Sequence, residues 1–138
     1  MKLVLDSSVI VTALISQEEE HEECKRILEK VVKGELIIIE PLSVFIEVVA
    51  AIRRRTGSAI LAEKVGKDLQ NIGTAHFLEL VNSRAKKAAD IAKKTGVRGM
   101  DAIVIQIAEE FSIPLVTLDE DIKSRVSKIV EVKDIKDF

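Results

Sequence analysis

The sequence contains few of the residues that build disulfide frameworks, cysteine-based metal sites or aromatic binding platforms. Its 138 residues include one cysteine, two prolines and four phenylalanines, with no tryptophan or tyrosine. A single cysteine, Cys24, excludes an internal disulfide and leaves no cysteine-based metal site. Cys24 belongs to an apolar series with helical spacing, so we expect it to be a buried structural thiol.

The chain also lacks the patterns that direct a protein to a membrane or divide it into parts. No apolar run is long enough to span a bilayer, and the start does not match a signal peptide. No repeat, low-complexity tract or linker is present. We therefore expect a single domain, 1–138, in a cytoplasmic protein with no membrane attachment. A net charge of −2 neither demands nor excludes a nucleic-acid partner.

What the sequence does contain is a regular alternation of short apolar runs and helical patterns. β-Branched runs and alternating patterns predict strands at about 3–5, 36–39, 74–80, 114–117 and 129–132. Apolar residues at helical spacing predict helices at about 8–16, 18–33, 42–54, 58–72, 82–95 and 100–111. This order predicts an α/β fold, a three-layer α/β/α sandwich around a central, mainly parallel sheet of four to five strands.

Four acids occupy positions that acids usually avoid. They are Asp6 at the end of the first strand, Glu47 and Asp101 in apolar helices, and Asp119 after the fourth strand. An isolated buried carboxylate is costly unless it is paired, hydrogen-bonded or bound to a metal. Taken singly, Asp6 or Ser7 would be interpreted as an ordinary helix cap. Four such acids favour a shared site, because parallel α/β sheets bind ligands at the carboxyl ends of their strands.

A hard divalent cation would explain the four acids together. Magnesium and manganese prefer oxygen ligands and are held by a few carboxylates, water and substrate phosphate. Without an ion the carboxylates would repel one another, which would keep some of them protonated. With one or two ions bound, such a cluster can activate water and stabilise the leaving oxygen of a phosphodiester. In this interpretation Ser7 caps the first helix and leaves the Asp6 carboxylate free for the ion.

Other acid-dependent α/β folds fit the sequence less well. A phosphate-accepting receiver domain needs an acid after its third strand, where this chain has Asn82. A haloacid-dehalogenase-type phosphatase needs Asp-x-Asp, and Ser8 stands in the place of the second acid. No glycine-rich phosphate loop, dinucleotide fingerprint or serine-hydrolase motif is present.

The four acids and their surroundings resemble the PIN-domain ribonucleases, and among these the toxins of VapBC-type toxin–antitoxin pairs. The resemblance covers essentially the whole chain. It rests on four segments in the same order and at similar separations: Leu3–Ile10, Phe45–Arg53, Asp101–Ala108 and Ile113–Ile122.

The resemblance implies a metal site, a reaction and partners. The implied ligands of Mg²⁺ or Mn²⁺ are Asp6, Glu47, Asp101 and Asp119, supported by the oxygens of Ser7 and Thr117, with Asp121 as either a supporting acid or a turn cap. The implied activity is hydrolysis of single-stranded RNA, in which the carboxylates hold the ions and help to deprotonate the attacking water. The implied partners are a second copy of the chain and a small antitoxin whose tail enters the catalytic groove.

Cationic residues near the acids are candidates for contacts with RNA phosphates. Arg53 and Arg54 follow the Glu47 helix, and Arg98 precedes Asp101. The alternative is that these arginines are ordinary solvated charges. Because aromatic residues are scarce, we expect phosphate contacts rather than base stacking to dominate.

Two other functions stay open from the sequence alone. One is a protein-binding module of the same fold with weak catalysis, and the other is a housekeeping RNA-processing nuclease. A DNA-flap nuclease or a magnesium-dependent phosphatase is less consistent with so short a chain. The apolar helix around Glu47 carries more apolar surface than one face needs, which makes a homodimer plausible.

Overall fold

The computed structural model covers residues 1–138 and contains a five-stranded sheet and seven α-helices. The strands are β1 (Lys2–Leu5), β2 (Ile37–Pro41), β3 (Ala75–Leu78), β4 (Leu115–Val116) and β5 (Val132–Lys133). The helices are α1 (Ser7–Leu14), α2 (His21–Val32), α3 (Leu42–Thr56), α4 (Ala59–Gln70), α5 (Asn82–Thr95), α6 (Gly99–Phe111) and α7 (Glu120–Val126). A short 3₁₀ helix, Ile135–Asp137, follows β5.

The sheet is parallel throughout, with the strand order β3-β2-β1-β4-β5. In the central strand β1, the consecutive residues Leu3, Val4 and Leu5 are all fully buried. Successive side chains of a strand point to opposite faces, so burial of all three means that both faces of the sheet are covered. The predicted sandwich with a parallel sheet is therefore confirmed, and the sheet has five strands.

The helices pack in consecutive pairs, α1 with α2, α3 with α4, and α5 with α6. Their inner faces and the sheet form one continuous cluster of buried apolar side chains, which includes Cys24 as expected. None of the helices combines the length and the apolar character needed to cross a bilayer. Helix α5 ends at Gly96, whose left-handed φ of 75° is a conformation that glycine adopts without strain.

Helix α7 was missed by the sequence prediction, which interpreted the segment after β4 as a turn. Its signals are present: Asp119 caps it, Glu120 and Asp121 occupy the first turn, and Arg125 lies in the last. With seven residues, however, it is too short to display helical periodicity.

The last strand was predicted too early in the chain. The backbone N–H groups of Ile129 and Val130 both donate to the carbonyl of Val126, at 2.8 and 3.0 Å, and so continue the turn after α7. Strand β5 therefore begins only at Val132.

Candidate metal centre

The topology brings the ends of β1 and β4 together. Strands β2 and β3 lie on one side of β1, whereas β4 and β5 lie on the other. The chain therefore changes direction across the sheet between β1 and β4, which is the position where open α/β sheets bind their ligands. Asp6 directly follows β1, and Asp119 comes three residues after Val116, the last residue of β4.

Asp6 is held at the end of β1 by two hydroxyl groups. The carboxylate is almost buried, with 8% of the residue exposed. Its Oδ2 atom accepts hydrogen bonds from Thr117 Oγ1 at 2.8 Å and from Ser8 Oγ at 2.9 Å. The other oxygen, Oδ1, accepts no hydrogen bond from the protein and is free to bind a ligand.

The prediction that Ser7 caps α1 is wrong. Asp6 occupies the N-cap position, but its side chain makes no capping hydrogen bond, and Ser7 is the first residue of the helix. The hydroxyl that contacts Asp6 belongs to Ser8, which the sequence analysis did not select. Both serines follow β1. Which of them contacts Asp6 depends on the direction in which each side chain points from the first turn of α1. A supporting role for Ser7 stays a prediction.

Asp119 links β4 to α7. Its Oδ1 atom accepts hydrogen bonds from the backbone N–H groups of Asp121 and Ile122, at 2.9 and 3.1 Å, and so caps α7. Its own N–H donates to Thr117 Oγ1 at 3.1 Å. Thr117 is completely buried, and its hydroxyl thus connects Asp119 to Asp6.

Asp121 is exposed and forms an ion pair with Arg125, at 2.9 Å from its Nε atom. Of the two roles that the sequence left open for it, the cap belongs instead to Asp119. Its carboxylate lies on the rim of the groove described below, where a supporting role stays a prediction.

Glu47 projects from α3 and Asp101 from the first turn of α6, and both are half-buried. Neither carboxylate accepts a hydrogen bond or forms an ion pair with the protein. Burial raises the pKa of Glu47, and the negative charges of Asp6 and Asp101 raise it further. Burial also raises the pKa of Asp101, as do Asp6 and Asp119, whereas Arg98 lowers it. Glu47 and Asp101 are therefore each repelled by two of the other three acids.

The donor chemistry of this space fits a hard divalent cation. All four predicted ligands offer carboxylate oxygens, which Mg²⁺ and Mn²⁺ prefer, and no cysteine or histidine lines the groove described below. A bound cation would also relieve the repulsion that raises the pKa values of Glu47 and Asp101. The side chains as they stand do not form a ready-made coordination shell, since no three of them converge closely enough to hold one ion. Binding would therefore require carboxylates of the site to move closer to one another.

A groove of about 1030 Å³ opens beside the acids. Its lining includes Glu47, Asp101 and Asp119 together with four alanines of α5, Ala85, Ala88, Ala89 and Ala92. The exposed side chain of Arg98 lies on this groove, next to Asp101.

The two other predicted RNA contacts do not line the groove. Arg53 and Arg54 are exposed in the last turn of α3 and are not among the residues that line the groove. The neighbouring Arg55 forms an ion pair with Glu18 across the surface. Among the three predicted arginines, only Arg98 is thus placed next to the acids.

A further acid, Glu40, which was not predicted from the sequence, lies at the end of β2. It is completely buried, and its Oε1 atom accepts a hydrogen bond of 2.6 Å from the backbone N–H of Leu5. Its Oε2 atom and the Ser43 hydroxyl are the two buried side-chain oxygens without a hydrogen-bond partner. Because Glu40 follows three isoleucines at the end of a strand, its sequence position is typical of a residue that emerges into solvent.

The sequence matches the PIN domain family over residues 3–128, which is most of the chain. The chain belongs to the PIN-domain family. The resemblance stated from four sequence segments is therefore confirmed at the level of the family. No curated protein matches the chain in sequence.

Solved structures share the fold of this PIN-domain protein along its whole length. Mycobacterium tuberculosis VapC20, described as a toxin that cleaves the sarcin–ricin loop, has a TM-score of 0.76 and 14% identity, covering 95% of this chain and 98% of VapC20. A Klebsiella pneumoniae toxin–antitoxin complex has a TM-score of 0.67 and 16% identity, with coverages of 96% and 97%.

Rickettsia felis VapBC2, solved with a DNA fragment from its promoter, has a TM-score of 0.68 and 13% identity, with coverages of 97% and 98%. At these identities the likeness shows a common fold. The roles of individual residues in this PIN-domain protein must therefore be argued from its own site.

Proposed function

We propose that this PIN-domain protein is a Mg²⁺- or Mn²⁺-dependent endoribonuclease that hydrolyses phosphodiester bonds of single-stranded RNA. The observation that carries the proposal is that Glu47, Asp101 and Asp119 line one groove, while the charge of Asp6 acts on both Glu47 and Asp101. Asp6 and Asp119 come from strand ends, and Glu47 and Asp101 come from helices. In a fold shared with a toxin described as cleaving the sarcin–ricin loop, this arrangement supports metal-dependent hydrolysis of RNA.

Asp6, Glu47 and Asp101 would have different roles in such a site. When bound, the ion supplies the Lewis-acid chemistry that activates water and neutralises charge on the phosphate. Asp6 would hold it through Oδ1, because Oδ2 is engaged by Thr117 and Ser8. Glu47 and Asp101 accept no hydrogen bond from the protein, so their oxygens would be available to hold the ion and to accept a proton from the attacking water.

Arg98 is placed to contact the phosphate backbone of RNA entering the groove. A guanidinium beside the acids would draw a polyanion towards a site that otherwise repels it. Arg53 and Arg54 would contact only a longer strand that extends past the end of α3. The small apolar side chains of the groove offer no ring for stacking, so we expect weak discrimination between bases.

We further propose that the protein is the toxin of a toxin–antitoxin pair in the cytoplasm, forms a homodimer and binds a small antitoxin. The proposal is supported by the fold shared with toxin–antitoxin complexes. Large apolar side chains are also exposed on α3 and α4, including Ile46 at 62% and Ile60 at 83%. Native mass spectrometry, with and without the protein encoded by a neighbouring small gene, would measure both associations.

The decisive experiment is cleavage of single-stranded RNA with added Mg²⁺ or Mn²⁺. Asp6→Asn and Asp101→Asn should each abolish cleavage, as should excess chelator. Asp68→Asn is the matched control, since Asp68 is an exposed acid on α4 that pairs with Lys64. Undiminished cleavage by both site variants, or in chelator, would refute the metal-site assignment. A wild-type protein that binds an antitoxin but cleaves nothing would indicate a protein-binding module instead.

A further inference from the structure

Strands β1 and β2 are paired along only part of their length. Their register joins Lys2 to Ile37 and Leu3 to Ile38, after which β2 continues alongside β3 alone. The N–H groups of Val4 and Asp6 point to the other side, where they bond Pro114 and Val116 near β4. The N–H of Leu5 therefore faces β2 at the point where the two backbones separate.

A side chain fills the position where the next backbone acceptor of β2 would be. Glu40 Oε1 accepts the hydrogen bond from Leu5 N at 2.6 Å, and Oε2 has no partner. An apolar side chain of similar size would fill the space, but it would leave the buried N–H of Leu5 without an acceptor. The carboxyl of Glu40 thus completes the hydrogen bonding of β1 immediately before Asp6.

The uncharged form of Glu40 is sufficient for this contact. Burial raises the pKa of Glu40 well above its usual range; the Leu5 hydrogen bond lowers it and the charge of Asp6 raises it. A neutral carboxyl still presents a carbonyl oxygen to the N–H of Leu5, as a glutamine amide would.

We propose that Glu40 is a positioning residue, which fixes the end of β1 through Leu5 and thereby aims the Asp6 carboxylate at Glu47 and Asp101. The inference rests on the proposed function, in which Asp6 binds the cation. Asp6 is held from the β4 side by the Val116 carbonyl and by the Thr117 hydroxyl. Glu40 provides the corresponding support from the β2 side, one residue away.

The test compares an apolar replacement with an isosteric one. Glu40→Met removes the acceptor, with Glu40→Leu as a second apolar variant, and Glu40→Gln keeps it. Isothermal titration with Mn²⁺, well below each unfolding midpoint, should show affinity reduced on the order of 10-fold or more in the apolar variants. Glu40→Gln should retain close to wild-type affinity.

A second readout needs no metal. In metal-free protein, the carboxyl ¹³C resonance of Asp6 should move in Glu40→Met, and the amide hydrogen of Leu5 should exchange faster. Glu40→Gln should leave both near their wild-type values. The matched control is Ile38→Ala, a buried residue of the same strand that lies two positions before Glu40. It should lower the midpoint of unfolding without changing Mn²⁺ affinity or the Asp6 resonance.

The outcomes separate this inference from the proposed function. Folded apolar variants with wild-type affinity and an unchanged Asp6 resonance would overturn the inference alone. A loss in Glu40→Gln as large as in Glu40→Met would overturn it too, because the acceptor is preserved there. If the wild type bound no Mn²⁺, the proposed function would fail, and the metal-free Asp6 resonance would still decide whether Glu40 positions Asp6.

Discussion

The four acids reach the candidate site in two different ways. Asp6 and Asp119 stand at strand ends, where donors of the protein already occupy one oxygen of each carboxylate. Glu47 and Asp101 project from helices, are half-buried and have no donor at all. Asp6 and Asp119 take part in hydrogen bonds within the protein, whereas Glu47 and Asp101 contribute only electrostatic repulsion.

Asp6 and Asp119 therefore stabilise the folded protein, whereas Glu47 and Asp101 lower its stability. A carboxylate that accepts two hydrogen bonds contributes to the native state, so its removal leaves donors without partners. Two half-buried carboxylates that repel each other destabilise the metal-free fold. Natural proteins keep such groups where activity requires them, which is why stabilising substitutions at functional sites often reduce activity.

The largest expected effect is on catalysis. The double substitution Glu47→Gln/Asp101→Asn should lower RNA cleavage by at least on the order of 100-fold, since loss of ligands exceeds the usual effect of changing their supports. The same variant should unfold at an equal or higher temperature than the wild type in chelator, because two repelling charges are gone. Cleavage assays and thermal unfolding test the two statements. A clear drop in the unfolding temperature would contradict the comparison.

Asp6→Ala should behave in the opposite way in the same unfolding measurement. The hydroxyls of Thr117 and Ser8 would lose their acceptor, and we expect a destabilisation of about 1–3 kcal/mol. Urea unfolding in chelator measures it, with Asp68→Asn as the surface control. If Asp6→Ala proved as stable as the wild type, the strand-end acid would have no more structural role than the helix-borne pair.

Two substitutions of Asp119 can distinguish its role as the N-cap of α7 from the effect of its negative charge. Asp119→Ala should cost about 1 kcal/mol of stability, because α7 loses its N-cap. Asp119→Asn preserves a capping oxygen and should retain most of the stability while cleavage still decreases. Unfolding and cleavage are measured on both variants. Equal stability losses in the two would show that the charge, rather than the cap, is what the fold requires.

The smallest effect concerns pH. The raised pKa values of Glu47 and Asp101 mean that, as pH increases, the unfolded chain releases these protons before the folded chain does. Below their ordinary pKa values, both groups are protonated in the folded and the unfolded protein, so their contribution to stability hardly changes with pH. As pH rises from the ordinary pKa values to the raised pKa values of the folded protein, this contribution declines.

Thermal unfolding in chelator, between about pH 4 and about pH 8, should show this decline as a widening gap between the wild type and Glu47→Gln/Asp101→Asn. Glu40 is present in both proteins, so its own titration cancels. A gap that stayed constant with pH would mean that neither burial nor the neighbouring acids raise the pKa values of the two carboxylates in the folded protein. Added Mg²⁺ should narrow the gap, since a bound cation favours their charged forms.

Much of this molecule follows from local patterns in its sequence. The continuous apolar runs predict buried parallel strands, and the acids stand out because they interrupt burial patterns that are otherwise regular. Asp6, Glu47 and Asp101 are visible for that reason. The sequence could not identify Ser8 in place of Ser7, because the contact with Asp6 depends on the rotation of α1.

Glu40 escaped prediction for a different reason. Its partner, the backbone N–H of Leu5, is free to donate to a side chain only because β1 and β2 separate at this point. Neither strand has a sequence pattern that indicates where they separate. Helix α7 was missed because short helices rely on their caps, and the capping residue Asp119 had already been interpreted as a ligand.

The hydrogen bond from Thr117 to Asp6 joins residues that are 111 positions apart. During synthesis, Asp6, Glu47 and Asp101 are all translated before the strand whose end fixes Asp6. A growing chain therefore carries three of the four acids without the support that orients the first. For a ribonuclease, this order of events would protect the messenger being translated, since cleavage competence would arrive only after Thr117 has been added and can hold Asp6.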